Sequence, residues 1–368
     1  MHILTLIGLA LALTHFIVPL AYYWYLKRRY LHTPWDLRLD PGYRPRVTVI
    51  VPTYNEAMLI ERKLDNIAEQ EYPRDKLEII VVDSASSDGT PEKVKEWAKR
   101  HPELNLRLVV ESVRRSKAYA LNTALGYSQG EIVVITDVDS FWSSRRTLLE
   151  TVKWFSDSVV GAVSCIKKPA DGRGVEDAYR QYYNLLRVLE SKAWSTPVFH
   201  GELAAYRRRL LEEIGGFPID IGADDSHTAT LIALKGYRAI TPETLQCIEL
   251  VPRKGYHSWR IRRAQHLLQH FTKILRIRHG TPKPFKKILA VETWLHLVNP
   301  WILIAATTTL ITAAIAGSIT ATLPLLLGTL LLAYRPYRTW ISTQLYLATA
   351  TVRNLWTKEL AWNKQGKS

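Results

Sequence analysis

Ile132-Val133-Val134-Ile135-Thr136-Asp137-Val138-Asp139 is an apolar, β-branched run that ends on two carboxylates one residue apart. A run of this kind reads as a strand buried on both faces, as in a parallel sheet. Two carboxylates at the end of such a strand are costly unless they bind something positive. In open α/β sheets, ligands sit at the carboxyl ends of the strands. A Mg²⁺-type cation takes one or two protein carboxylates and completes its shell with substrate phosphates. The stretch therefore implies a metal-bridged phosphate site at the edge of a parallel sheet. The competing reading is an ordinary acidic turn, and the flanking sequence decides between the two.

Upstream lie three more apolar runs: Val47–Val51, Leu77–Val82 and Leu106–Val110. The first leads into Pro52-Thr53-Tyr54-Asn55-Glu56 and a helical pattern to about Glu71. The second ends on Asp83-Ser84-Ala85-Ser86-Ser87-Asp88-Gly89-Thr90, with Pro91 opening a helix. A further helix spans Ser116–Tyr127. Short apolar runs alternating with helices of this length argue for βαβ units and a mostly parallel, Rossmann-like sheet. Downstream the pattern is less regular, with a strand near 160–166, helical stretches over 175–194 and 226–235, and a strand over 201–206. Gly222-Ala223-Asp224-Asp225 precedes the second of those helices. There is no internal repeat.

The net charge of +15, from 49 basic and 34 acidic residues, implies an anionic partner. Only two cysteines are present, Cys165 and Cys247, which excludes a disulfide framework and makes a reducing cytosolic setting the default. Ile3–Leu26 is 24 residues without Asp, Glu, Lys or Arg, long enough to cross a bilayer and too long for a signal peptide. Thr293–Tyr334 is a second such stretch of 42 residues, with Gly317-Ser318 in its middle. Composition thus predicts three crossings: one N-terminal helix and a hairpin over 293–334. Lys27-Arg28-Arg29, Lys283, Lys286, Lys287, Arg335 and Arg338 then share one side, which the positive-inside rule makes cytoplasmic. A multi-pass cell-membrane location follows, with a cytoplasmic domain over 27–252 and an interfacial tail over 335–368.

Residues 253–287 carry eleven Lys or Arg and no acid. Leu267, Leu268, Phe271, Ile274 and Leu275 recur there at helical spacing, with Lys273, Arg276 and Arg278 on other faces. That pattern predicts an amphipathic helix lying on an anionic phospholipid surface over 253–292. Nucleic acid, the generic partner of a basic run, fits poorly beside membrane segments.

The ordered set Val51-Pro52-Thr53-Tyr54-Asn55-Glu56, Val82-Asp83 to Thr90, Thr136-Asp137-Val138-Asp139, Gly222-Ala223-Asp224-Asp225 and Arg260-Ile261-Arg262-Arg263-Ala264-Gln265 resembles the membrane-attached family 2 glycosyltransferases of GT-A fold. The lipid-directed members, polyprenyl-phosphate-sugar synthases and glycolipid mannosyl- or glucosyltransferases, are the most similar in build. The resemblance spans residues 45–270. It implies that Pro52, Thr53, Tyr54 and Glu56 meet the nucleotide, with Tyr54 stacked on the base. Asp83 and Asp88 would hold base or ribose, although both also suit an Asx turn and a helix cap. Lys117, at a helix start where the dipole disfavours a cation, would face a negative ligand. Asp137 and Asp139 would hold Mg²⁺ or Mn²⁺ against the diphosphate, Asp139 most directly and Asp137 shared with the ribose.

Asp224-Asp225 resembles the family's base motif, usually Glu-Asp, and departs from it by one methylene at Asp224. Asp225 is the expected general base and single displacement with inversion the expected course. Arg260, Arg263 and Gln265 would contact the diphosphate, Glu202 the acceptor hydroxyls, and His257 would be a third metal ligand or else a hydrogen-bonded loop histidine. The Arg-Trp that polymer synthases carry after the Gln-rich segment is replaced around Ala264-Gln265-His266, which favours a single-transfer enzyme. The expected activity is transfer of one sugar from a nucleotide-sugar, GDP-mannose first and a UDP-hexose second, to a membrane lipid. A polyprenyl-phosphate acceptor, a polysaccharide synthase and an inactive membrane scaffold are the alternatives.

Overall fold

The strand that ends in Asp137-Val138-Asp139 sits at the centre of the main sheet. The structure is a computed structural model, described over residues 3–170, 175–252, 254–277 and 280–360. Arg278, Lys364 and Lys367 lie outside the described residues. The first half runs α1 (Ile3–Tyr30), β1 (Val47–Thr53), α2 (Ile60–Ala68), β2 (Leu77–Ser84), α3 (Thr90–Arg100), β3 (Asn105–Glu111), α4 (Lys117–Leu125) and β4 (Ile132–Ile135). Then come β5 (Ser140–Trp142), α5 (Thr147–Val152), β6 (Val160–Ser164), β7 (Ile166–Pro169), α6 (Val175–Ala193), β8 (Ala204–Arg207), α7 (Arg208–Glu213), α8 (Asp224–Leu234), β9 (Arg238–Ile240) and β10 (Gln246–Glu249). The chain closes with α9 (Tyr256–Ile277), α10 (Lys283–Leu297), α11 (Asn299–Ile315), α12 (Ile319–Leu331) and α13 (Arg335–Arg353).

Seven strands form the main sheet in the order β3-β2-β1-β4-β8-β6-β9, and β5-β10-β7 form a small second sheet. β1, β2, β3 and β4 are parallel, as the buried apolar runs of β1, β2 and β4 imply, with β3 at the more exposed sheet edge. Every residue of β2 and β4 is buried. β8 alone runs against both its neighbours, β4 and β6. This reversal brings the segment before β8 alongside the end of β4, where the Asp137 N–H donates to the Gly201 carbonyl at 3.0 Å. One apolar layer packs α2, α3 and α5 on the sheet, around Trp97, Trp154 and Phe155. The other packs α4, α7, α8 and the start of the C-terminal helices, around Tyr206, Phe271 and Phe285.

The C-terminal half narrows one expectation and corrects another. First, α1 is the one helix, among the described residues, that is by itself long and apolar enough to cross a membrane. The apolar stretch after Thr293 does turn at Gly317, in left-handed conformation, but it is broken into short pieces. α10 meets α11 at a 44° bend and α12 meets α13 at 104°. The 17 residues of α11 and 13 of α12 extend only about 26 and 20 Å, short of a ~30 Å hydrocarbon core. Pro300 and Pro336 open the helices after the two bends, in first-turn positions where the missing N–H costs nothing. The two bent pairs count as crossings only if each pair spans as one broken unit, which would bring the total to three.

Second, the apolar stripe of α9 does not lie free for a bilayer. Leu268, Phe271 and Ile274 are buried against α8, α10 and α13, and only Leu275 and Ile277 stay largely exposed. Polar contacts also tie α1 to the C-terminal helices. Trp340 Nε1 donates to His15 Nε2 at 2.9 Å, so the His15 proton sits on Nδ1, which donates to the Asn299 carbonyl at 3.1 Å.

Candidate active site

Where the carboxyl ends of β1 and β4 meet α4, α6, α8, α9 and α13, the chain encloses a cavity of about 320 Å³. Pro52, Thr53, Tyr54, Glu56, Lys117, Asp137, Asp139, Glu202, Asp224, Asp225, Arg260 and Arg263 all border it. Residues far apart in sequence are thus brought to one wall by the topology.

The centre of that wall is Lys117. Its ammonium lies 2.8 Å from Asp137 Oδ1 and 3.5 Å from Asp224 Oδ2. Burial opposes this charge, but Asp137, Asp224 and Asp225 outweigh it and raise the lysine well above its ordinary pKa. The site therefore joins the two acidic motifs through one fixed cation. Gly201 makes the approach possible. A Cβ there would fall 2.8 Å from both Asp137 Oδ2 and Lys117 Nζ.

Asp224 and Asp225 form the first turn of α8. Burial, and then its neighbour Asp224, push the Asp225 carboxyl up to about 6. Burial also raises Asp224 in spite of Lys117. Asp225 Oδ1 accepts the Ser226 N–H at 2.6 Å, and its carbonyl takes the Tyr206 hydroxyl at 3.1 Å. A half-buried carboxylate with a pKa of about 6 is ionised at neutral pH and can take a proton.

The turn bearing Asp137 and Asp139 is stapled from behind by Lys63. Lys63 is fully buried and donates to Thr136 Oγ1 at 2.6 Å and to the Ser140 carbonyl at 2.9 Å. Thr136 Oγ1 in turn donates to the Glu202 carbonyl at 2.7 Å, and Ser140 Oγ to the Asp137 carbonyl at 2.8 Å. Lys63 escaped the sequence reading, although a signal was present. It lies between Ile60, Leu64 and Ile67 on the apolar face of α2, where a lysine needs a partner.

Two acidic residues take a different place. Asp83 does not border the cavity. Its carboxylate accepts Thr53 Oγ1 at 3.0 Å, Ser86 Oγ at 2.5 Å and the Ser86 N–H at 2.9 Å. Asp88 receives Thr90 N–H at 3.1 Å and Thr90 Oγ1 at 2.5 Å through Oδ1, and the Ala57 N–H at 3.0 Å through Oδ2. Both aspartates lace the 53–57 loop to the 83–90 loop, so they shape the wall that Thr53, Tyr54 and Glu56 present. The Tyr54 ring carries the Arg114 guanidinium, 3.6 Å from its centroid.

The basic segment also divides. Arg260 stacks on Tyr179 at 3.9 Å and reaches Thr343 Oγ1 at 3.4 Å. Arg263 bonds to Glu249. Gln265 does not border the cavity. It is buried and donates to Asn354 Oδ1 at 3.2 Å and to the Thr357 carbonyl at 2.5 Å, holding the segment after α13. His257 is likewise elsewhere, in the first turn of α9, with Nδ1 2.7 Å from the Tyr346 hydroxyl. Among the described residues no group of three His, Cys, Asp or Glu is placed to hold a metal. Asp137 and Asp139 remain as an all-oxygen pair, which suits a hard divalent cation that takes its other ligands from phosphate and water.

Residues 48–215 match Glycosyl transferase family 2. A mannosyltransferase from Pyrobaculum calidifontis, PcManGT, solved in complex with GDP-Man and Mn²⁺, is 60% identical. The two superpose with a TM-score of 0.89 over 96% of this chain and 99% of that one. The chain belongs to glycosyl transferase family 2. It is a glycosyltransferase with the GT-A type of α/β fold. More distant relatives match only in part. The cellulose synthase catalytic subunit of Pseudomonas fluorescens is 31% identical over 58% of this chain. The beta-monoglucosyldiacylglycerol synthase of Trichormus variabilis is 33% identical over 36% of it. The chain spans 29% and 28% of the length of those two proteins.

Proposed function

We propose that this glycosyltransferase moves a single hexose, mannose from GDP-mannose, to a hydroxyl of a membrane lipid acceptor, with inversion. The observation that carries the reading is the Lys117-bridged pair of acidic motifs in the cavity of a chain that is 60% identical to a GDP-Man- and Mn²⁺-bound mannosyltransferase.

In this reading the nucleotide lies against Pro52, Thr53, Tyr54 and Glu56. Asp139, with Asp137, would hold Mn²⁺ or Mg²⁺. When bound, that ion supplies charge neutralisation at the departing diphosphate. Lys117 orients Asp137 and adds a fixed positive charge beside the phosphates, and Arg260 and Arg262 extend that charge along the other wall. Asp225 removes the acceptor proton as its oxygen attacks the anomeric carbon from the face opposite the nucleotide.

A lipid acceptor is supported by the likeness to a beta-monoglucosyldiacylglycerol synthase and by the apolar surfaces of the helices. α1 carries a basic last turn, Lys27-Arg28-Arg29. Leu323, Leu326, Leu327 and Leu330 of α12 are more than half exposed, as a bilayer contact would require. We read α1 as the membrane span and α12 as a shallow insertion, with the catalytic half on the cytoplasmic face.

Differential scanning fluorimetry with GDP-mannose and UDP-glucose, each with and without Mn²⁺, tests the donor. The expected result is a Tm rise with GDP-mannose that needs Mn²⁺. An equal shift with UDP-glucose, or one indifferent to the metal, would overturn the donor or the acidic site respectively.

A further inference from the structure

One carboxylate on the cavity wall is only half satisfied. Lys167 puts its ammonium 2.6 Å from Glu202 Oε1 and 3.5 Å from Glu249 Oε1. Glu249 has further partners, with Arg180 2.7 Å from Oε2 and Arg263 bonded to Oε1. Among the described residues, Glu202 has no second cation at bonding distance. Its residue is 4% exposed, and its Oε2 has no hydrogen-bond partner among the described residues. A buried acceptor left empty in this way is rare and costly.

Position indicates what fills it. Glu202 is fixed to the metal-side turn through Thr136 Oγ1 on its carbonyl, and Trp142 Nε1 reaches the same oxygen at 3.2 Å. A diphosphate against Asp137 and Asp139, together with an attacked carbon within reach of Asp225, sets the transferred ring over the strip between them. That strip is Gly201-Glu202. At Gly201 no side chain stands between Asp137 and Lys117, so a ring can lie against the backbone there. The next residue, Glu202, borders the same cavity and carries a carboxylate oriented by Lys167.

The geometry points to Glu202 Oε2 as the acceptor for a hydroxyl of the donor's sugar ring. Glu202 is then a specificity-determining residue that reads the hexose and leaves the nucleotide alone. This rests on the nucleotide-sugar reading above.

Isothermal titration calorimetry with Mn²⁺ on the full chain separates the two. GDP and GDP-mannose are titrated into wild type and Glu202→Gln. With Lys167 holding the amide oxygen, the variant turns an N–H toward the sugar. GDP-mannose affinity should fall roughly ten- to hundred-fold while GDP affinity stays within about two-fold. Equal losses for both ligands, or no loss for either, would overturn the assignment. A second arm needs no variant: GDP-mannose analogues lacking one ring hydroxyl at a time are titrated into wild type. One position should lose about ten-fold or more, and a flat series would overturn the assignment. If wild type binds neither GDP nor GDP-mannose, the donor reading itself falls, a result distinct from either arm.

Discussion

The sheet edge and the C-terminal helices meet across one cavity, and they use charge in opposite ways. At the sheet edge, carboxylates face inward and are held by lysines: half-buried Lys117 in front of Asp137 and fully buried Lys63 behind its turn. In the C-terminal helices, apolar side chains of α12 face outward and the basic residues Arg335 and Arg338 are exposed. The first arrangement suits a cationic or hydroxyl-bearing ligand, and in the proposed reading the second suits a lipid surface. Chemistry is therefore fixed by a few rigid strand ends, whereas the place where it happens is set by broken helices.

The sharpest way to break this division is to remove the base alone. Asp225→Asn should lower kcat by about 10²–10⁴-fold while donor affinity is kept. Steady-state rates and calorimetry on the same preparation check this. In the wild type, kcat should rise with pH through an apparent pKa near 6, because the base must be ionised. That limb should vanish in the variant. Normal turnover in Asp225→Asn would favour a phosphate acceptor, which needs no base.

Lys63→Met tests whether the metal turn is set from behind. The Ser140 carbonyl would lose its donor inside the core, at a cost of about 1–3 kcal/mol in stability. The Mn²⁺ concentration needed for the donor-dependent Tm shift should also rise. A lower Tm with an unchanged metal requirement would reduce Lys63 to a packing role.

Acid should weaken the junction between the two regions. Burial lowers His227 to about 4 and His266 to about 3, so both are neutral in the fold. As pH falls below about 6.5 the unfolded chain takes up protons that the fold refuses, and stability is lost. The slope is up to about 1.4 kcal/mol per pH unit for each histidine until its folded value is reached. Urea titrations at pH 7 and pH 5 measure it. Burial holds His200, His270 and His296 low as well, so His227→Gln should remove about one fifth of the difference.

How much of this was legible in the sequence follows the same division. β1, β2 and β4 were readable because a strand buried on both faces is a largely apolar run closed by turn residues, and β3, at the sheet edge, still showed Leu106, Leu108, Val109 and Val110. Their ends carried the acidic motifs within the same few residues. β5, β7, β9 and β10 have only three or four residues each, too few to show a period. In the C-terminal half, composition gave the apolar length and the Gly317 turn, but not straightness, which the prolines after the bends decide. The α9 stripe showed which residues are covered, but not that protein covers them. Lys167, Glu249 and Arg180 are invisible locally, because each is neutralised by residues tens of positions away.

The account's central claim is that a metal-dependent transfer to lipid occurs at this edge. Purified chain, Mn²⁺ and GDP-[¹⁴C]mannose incubated with archaeal and bacterial lipid extracts test it most directly. The account predicts label in the organic phase that disappears with EDTA and in Asp225→Asn. Label found only in free sugar or in a water-soluble polymer would contradict it.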